Sequence, residues 1–299
     1  MCESGTCFKH TRFIESTSTH QRVLPSGLPS LLSVEYLSGS VQGRDVFEQV
    51  EFDTNLHLNT TISLMDNIEV PFLEDVVWDG IIGLGLENDQ LTERGLERLV
   101  DRFAPVLHQQ GLRNQFSYWI HDNGGAIQFG GIKNHLKLDP DEPFQFASVT
   151  GKAGYWNVKV LGISKFQEDD ASSSFPVPEQ SFHDGGTGTS IVDTGTFLIY
   201  APKGTLDNYL SELFVDECSD RKKLPSLLFY LEPLDHKTGG TFQSLVTLRL
   251  DPTDYVVEFE NELGEQNCFL GIREDDAPAD SSIGGWTFGR PVISVEGLN

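Results

Sequence analysis

Short stretches in which apolar and polar residues alternate recur along the chain, and they constrain its fold more than any other feature. Leu56, Leu58, Ile62 and Leu64 share one parity; Trp156, Val158 and Val160 do so within 155–163, and Val246, Leu248 and Leu250 do so again. A period of two sends successive side chains to opposite faces, so each stretch reads as a half-buried strand. Gly, Asp and Asn clusters separate the stretches, as turns require. Asp122-Asn123-Gly124-Gly125, ahead of Ile127-Gln128-Phe129, reads as a hairpin turn. Two segments instead show helical spacing. Leu96, Leu99, Val100 and Phe103 predict one helix, ended by Pro105, and Leu206, Tyr209, Leu210, Leu213 and Phe214 predict another, with Pro202 near its start. One lies in each half, with no strand–helix–strand alternation. The expectation is a mainly antiparallel all-β chain, not a doubly wound sheet.

At 299 residues the chain has room for two domains of roughly 150 residues, each able to bury its own core. We place them at 1–150 and 151–299. Gln167–Ser190, rich in Ser, Pro, Asp and Gly, reads as a long surface loop, because strand-like Ser190-Ile191-Val192 follows at once.

Charge excludes whole classes of partner. Lys and Arg total 21 against 45 Asp and Glu, a net charge of −24. No basic surface is available to displace phosphate counterions, so nucleic acid and anionic membranes are not expected partners. No apolar run approaches the ~20 residues of a spanning helix. Met1 is followed by Cys2 and a polar stretch, with no leader pattern. The expectation is a chain outside the secretory route, or one lacking its natural start. The cysteines Cys2, Cys7, Cys218 and Cys268 permit free thiols or two disulfides, Cys2–Cys7 closing a tight loop and Cys218–Cys268 a long one. No cysteine has a metal-ligand spacing, and no metal is expected. Asn59-Thr60-Thr61 is a candidate glycosylation sequon.

Chemistry concentrates in Ser190-Ile191-Val192-Asp193-Thr194-Gly195-Thr196. A carboxylate at the end of a buried strand is costly unless hydrogen-bonded. Gly195 lets the backbone turn closely, so that its N–H groups can face the carboxylate. A bare Asp-Thr-Gly also describes ordinary turns; the apolar flanks on both sides give it weight. Val34–Gly43, with Tyr36 just before a Ser38-Gly39-Ser40 tip, reads as a β-hairpin. Val77–Gly85 reads by itself as a buried strand with small residues for close packing. Gly185–Thr189 lacks the Lys of a phosphate loop, no G-x-S-x-G elbow occurs, and Asp53-Thr54-Asn55 reads as a turn.

Together these pieces resemble the pepsin-like aspartic endopeptidases, in family order over nearly the whole chain. Tyr36 falls at the family's flap tyrosine, with Ser38 and Gly39 at the flap tip, and Phe72 falls at a pocket aromatic. Trp78-Asp79-Gly80-Ile81-Ile82-Gly83-Leu84-Gly85 resembles the element F-D-G-I-L-G-L. Gln110–Leu112, Phe116-Ser117 and Gly124–Gly131 match the following stretch. Tyr155-Trp156 resembles the entry to the carboxy-terminal lobe, and Ile191–Pro202 resembles the second catalytic motif, with Phe197 where Ser is usual. The resemblance implies a bilobal all-β fold and disulfides Cys2–Cys7 and Cys218–Cys268. It also implies a monomer that takes an extended polypeptide without any cofactor, in the extracellular space or an acidic vacuolar or lysosomal compartment. Asp193 is the implied catalytic carboxylate, supported by Thr194, Gly195 and Thr196.

The sequence departs from the pattern in places. The family uses two Asp-Thr/Ser-Gly motifs, and this chain has one. The other would fall before Met1, so the amino-terminal lobe is expected to be incomplete. Gly285 stands where the family has Asp. Residues 1–299 alone are therefore expected to be weak or inactive as a peptidase. The alternatives are a pseudo-peptidase that binds a peptide or inhibitor and, further off, a carbohydrate-binding β-sandwich.

Overall fold

The structure is a computed structural model. It describes residues 9–19, 31–36, 39–53, 56–74, 76–121, 124–132, 141, 143–150, 154–166, 180–181, 188–234, 245–261, 263–275 and 285–289. The chain divides into two compact units, 1–115 and 116–299.

In the first unit, β1 (Leu31–Tyr36), β2 (Gly39–Asp53) and β3 (Leu56–Glu69) form an antiparallel sheet in the order β1-β2-β3. Tyr36 pairs with Gly39 and Glu35 with Ser40, so Gly39 and Ser40 lie in β2 and not at the expected Ser-Gly-Ser tip. Gly39 is required: at φ 145° a Cβ there would meet the Glu69 carbonyl oxygen at 1.9 Å. Gln42 faces Asn67 and Gly43 faces Met65, which leaves Asp66 as a bulged extra residue. Arg44 lies 3.6 Å from Asp66 and also pairs with Glu15. Asp45, buried on β2, is bonded by Ser63 Oγ at 2.6 Å and paired with Arg94. Helices α1 (Asp89–Glu93) and α2 (Leu99–Gln109) follow. Phe103 and Leu107 are the buried anchors of α2, and the Phe103 ring packs edge-on against Phe52 at 4.9 Å. Pro105 lies inside α2 and does not end it, contrary to expectation. Proline costs one hydrogen bond to the preceding turn, and the burial of Leu107 beyond it offsets that loss.

In the second unit, β4 (Phe116–His121) and β5 (Gly124–Phe129) form the hairpin expected at Asp122–Gly125; His121 faces Gly124, so Gly124 and Gly125 already belong to β5. The remaining strands are β6 (Asn157–Phe166), β7 (Gln180–Ser181), β8 (Thr189–Val192), β9 (Ile199–Pro202), β10 (Ser226–Leu231), β11 (Val246–Leu250), β12 (Val256–Glu260), β13 (Gln266–Leu270), β14 (Ile272–Asp275) and β15 (Trp286–Phe288). The main sheet runs β11-β10-β6-β8-β15-β9-β14, with β7 beside β6. It is mixed, because β15 runs parallel to β8 and β14 parallel to β9. Val246, Leu248 and Leu250 are buried while Thr247 and Arg249 are not, as the alternation demanded. Phe229 is fully buried and meets the edges of Trp286 at 4.9 Å and Phe288 at 5.1 Å. Truncating such a ring costs about 3–5 kcal/mol, so this cluster fixes where β15 lies in the sheet.

The long helix expected over 206–214 is instead the short α3 (Thr205–Asn208), followed by turns. Leu210 and Leu213 are buried nonetheless, so their spacing reports packing rather than helix. A further short helix, α4 (Pro252–Tyr255), begins with reciprocal bonds between Asp251 and Asp254. Burial pushes the Tyr255 hydroxyl pKa up, and the hydroxyl donates to the Pro225 carbonyl at 2.6 Å. Cys218 and Cys268 form a disulfide, with 5.0 Å between their Cα atoms. Cys2 and Cys7 lie outside the described residues, as does most of the Gln167–Ser190 loop.

Candidate active site

Asp193 stands directly after β8 (Thr189–Val192). Ser190 and Ile191 are buried, and the Val192 N–H is bonded to the Trp156 carbonyl at 3.0 Å. The loop 193–198 joins β8 to β9, yet these strands are not neighbours: β15 lies between them. The loop therefore passes over the end of β15. It is fastened there by the Asp193 N–H, which donates to the Phe288 carbonyl at 3.0 Å.

The carboxylate is held at both oxygens. The Gly195 N–H donates to Oδ1 at 2.9 Å and Thr196 Oγ1 donates to Oδ2 at 2.5 Å. The Thr196 N–H also bonds the Asp193 carbonyl at 3.2 Å, which closes the turn. Gly195 is suited to this geometry because a Cβ there would crowd Oδ1 at 3.2 Å. Asp193 is half-buried and Thr194 exposed. A half-buried carboxylate bonded at both oxygens is held in one orientation, which general acid–base chemistry requires.

Glycines bracketing β15 make the crossing possible. A Cβ on Gly285 would meet the Thr189 carbonyl oxygen at 2.2 Å, and one on Gly289 would meet those of Leu198 and Thr196 at 2.2 and 2.5 Å. In this backbone no side chain fits at 285 without a shift. The role of Gly285-Trp286-Thr287-Phe288-Gly289 was missed in the sequence, although its Gly-bracketed alternation was visible. Phe197, beside Thr196, is 63% exposed.

The Val77–Gly85 motif of the first unit is built differently from the Gly285–Gly289 stretch. Residues 76–88 carry no regular structure, which corrects the expected buried strand. Val77 is 97% exposed, Ile81 66% and Ile82 61%, and a Cβ on Gly80 or Gly83 would touch nothing within 4 Å. Asp79 anchors the segment's start. The Thr11 N–H donates to its Oδ1 at 2.9 Å, and His10 Nδ1 lies 3.4 Å away. The Thr11 bond first, and His10 after it, hold the Asp79 carboxyl below its ordinary range. Of the expected flap residues, Tyr36 and Gly39 form the last pair of β1 and β2. Ser38 lies outside the described residues, and Phe72 belongs to the single-turn helix Pro71–Glu74. The described residues hold no cluster of His, Cys, Asp and Glu suited to a metal ion. No described helix is long and apolar enough to cross a membrane.

A family model described as eukaryotic aspartyl protease matches residues 1–295. The chain belongs to that family. Its fold class is the all-β, bilobal pepsin-like one. It is 34% identical over 306 residues to plasmepsin VII of Plasmodium falciparum, covering 98% of this chain and 67% of that protein. It is 36% identical over 289 residues to plasmepsin VII of Plasmodium berghei (94% and 60%) and 26% identical over 296 residues to pepsin A of Rhinolophus ferrumequinum (94% and 65%). The chain thus spans about 60–67% of these relatives' lengths.

Proposed function

We propose that Asp193 is one carboxylate of an aspartic endopeptidase dyad that hydrolyses extended polypeptides. The observation that carries this reading is the loop itself: a strand-end carboxylate, bonded at both oxygens by Gly195 and Thr196. The lobes are 1–150 and 151–299. A hairpin flap bearing Tyr36, Ser38 and Gly39 closes over the peptide, and Phe72 lines an apolar pocket. Cys2–Cys7 closes a small loop. The protein acts as a monomer without a cofactor, in the extracellular space or an acidic compartment reached through the secretory route. The single disulfide among the described residues supports that route.

The chemistry needs a second carboxylate. Two carboxyl groups sharing one proton titrate as a coupled pair. The ionised member takes a proton from water, which attacks the peptide carbonyl. The protonated member gives its proton to the carbonyl oxygen, after which the amine leaves. Residues 1–299 contain one Asp-Thr-Gly. We infer that the partner comes from a strand–Asp-Thr/Ser-Gly–strand segment outside these residues, seated on the exposed apolar stretch 77–82. The clamping of Gly285 and Gly289 between β8 and β9 supports this, because it is how the same need is met around Asp193.

The test is to sequence the native transcript upstream of Met1 and to assay both forms with a peptide substrate and pepstatin. The reading expects an in-register Asp-Thr/Ser-Gly upstream, a pepstatin-sensitive long form and an inert 1–299. A single Asp-Thr-Gly is also what a pseudo-peptidase would carry. Translation starting at Met1, with peptide binding and no cleavage, establishes that second reading instead.

A further inference from the structure

We propose that Asn59 carries an N-linked glycan. Asn59-Thr60-Thr61 is the one Asn-x-Ser/Thr sequence in the 299 residues. In the folded chain Asn59 is exposed on β3, between Leu58 at 4% and Thr60 at 5% exposure. The strand therefore buries both neighbours and turns the Asn59 side chain outward. Gln49, its partner on β2, donates to Asn59 Oδ1 at 3.4 Å. That contact uses the amide oxygen and not the nitrogen that would be substituted.

A second observation concerns the compartment. The Cys218–Cys268 disulfide belongs to an oxidising environment, and asparagine glycosylation takes place on chains folding in one. The inference rests on that part of the proposed secretory route and not on peptidase activity. The co-reactant is a lipid-diphosphate-linked oligosaccharide. Asn59 Nδ2 attacks the anomeric carbon of its first sugar, a C–N bond forms and the C–O bond to the diphosphate breaks. The lipid diphosphate leaves with the electron pair, and the amide proton passes to a base of the transferring enzyme.

The position is compatible with a working flap. Gln49–Asn59 lies nine residues along β2 from Ser40, the residue paired with Glu69 beside the tip. At 3.3 Å per residue that is about 30 Å, so a glycan there leaves the tip free. β3 is also one of the two outer strands of its three-stranded sheet among the described residues. A hydrated glycan on an outer strand opposes edge-to-edge pairing with another molecule.

The experiment uses full-length protein isolated from its own cells or from secreting eukaryotic cells. Intact mass and the peptide containing residue 59 are measured before and after peptide:N-glycosidase treatment, with the Cys218–Cys268 peptide mapped unreduced in the same sample. The expected result is a hexose-bearing mass at residue 59, removed by the enzyme with conversion of that residue to aspartate. Asn59→Gln and Thr61→Ala abolish the modification, while Thr61→Ser, which keeps the sequon, retains it. An unmodified Asn59 in molecules whose Cys218–Cys268 disulfide has formed overturns the proposal and leaves the secretory reading standing. Unmodified Asn59 together with reduced cysteines overturns both.

Discussion

Thr196 Oγ1 donates a 2.5 Å hydrogen bond to Asp193 Oδ2, three residues back across a closed turn. The bond sets the tilt of the carboxylate, because Oδ1 is already held by the Gly195 N–H. Thr196→Val keeps the shape of the side chain and removes the donor. It should cost about 1–2 kcal/mol of stability. In the long, active form it should lower kcat about 10²-fold through misplacement of the carboxylate, with KM little changed. Thr196→Ser should restore most of both. Equal kcat for the Val and Ser variants would show that the hydroxyl plays no part in placing Asp193.

Asp220 predicts a window of acid sensitivity. Lys223 Nζ bonds its carboxylate at 2.8 Å, and the backbone N–H groups of Glu217 and Asp216 do so at 3.1 and 3.2 Å. Lys223 first, then the two N–H groups, hold the carboxyl down from 3.8 to about 2. A depressed folded-state pKa gives stability that is complete above the unfolded value and is lost as pH falls through the folded one. Asp220→Asn should therefore lower Tm near neutral pH. The gap from wild type should narrow below pH 3.8 and close near pH 2. Thermal melts across that range test this, and a constant gap would contradict it.

Strand alternation was legible wherever one face of a strand is buried and the other wet, as at Val246–Leu250. The hairpin between β4 and β5 was also legible, from the Asp122–Gly125 turn signal. The Asp193 loop was legible because a polar triplet interrupts two apolar runs. Helix limits were not, since Leu210 and Leu213 are buried by tertiary contacts from turns, and α2 continues past Pro105 because Leu107 has somewhere to pack. The apolar character of Val77–Leu84 predicted a buried strand, and the structure shows neither the strand nor the burial. Periodicity within 299 residues carries no information about whether a partner strand is there to bury it, and among the described residues that stretch stays exposed.

The Cys218–Cys268 disulfide should dominate the stability of the second unit. It joins residues 50 apart, from the start of the short 3-10 helix Cys218–Lys223 to the middle of β13. Restricting a loop of that length in the unfolded chain is worth about 4 kcal/mol. Cys218→Ala/Cys268→Ala should lower the denaturant midpoint accordingly. Hydrogen exchange should speed up across β10, β12 and β13 far more than across β1–β3. Equal acceleration in both units would mean that they unfold as one.

Paired glycine substitutions separate a clamped strand from an open one. A Cβ on Gly289 would stand 2.2 Å from the Leu198 carbonyl oxygen and 2.5 Å from that of Thr196, both backbone atoms that hold the Asp193 loop. Gly289→Ala should cost about 3 kcal/mol and displace the loop. Gly83 has nothing within 4 Å and no left-handed φ, so Gly83→Ala in residues 1–299 should be neutral or stabilising by about 0.5 kcal/mol, through a less flexible unfolded chain. In the long form, a strand–Asp-Thr/Ser-Gly–strand segment seated on 77–82 would give Gly83 the crowding that Gly289 has. There Gly83→Ala should become destabilising by an amount approaching that of Gly289→Ala. Chemical denaturation of both variants in both lengths measures the difference. A Gly83→Ala that stays neutral in the long form would mean that nothing packs against this stretch, and that the partner carboxylate must be seated elsewhere.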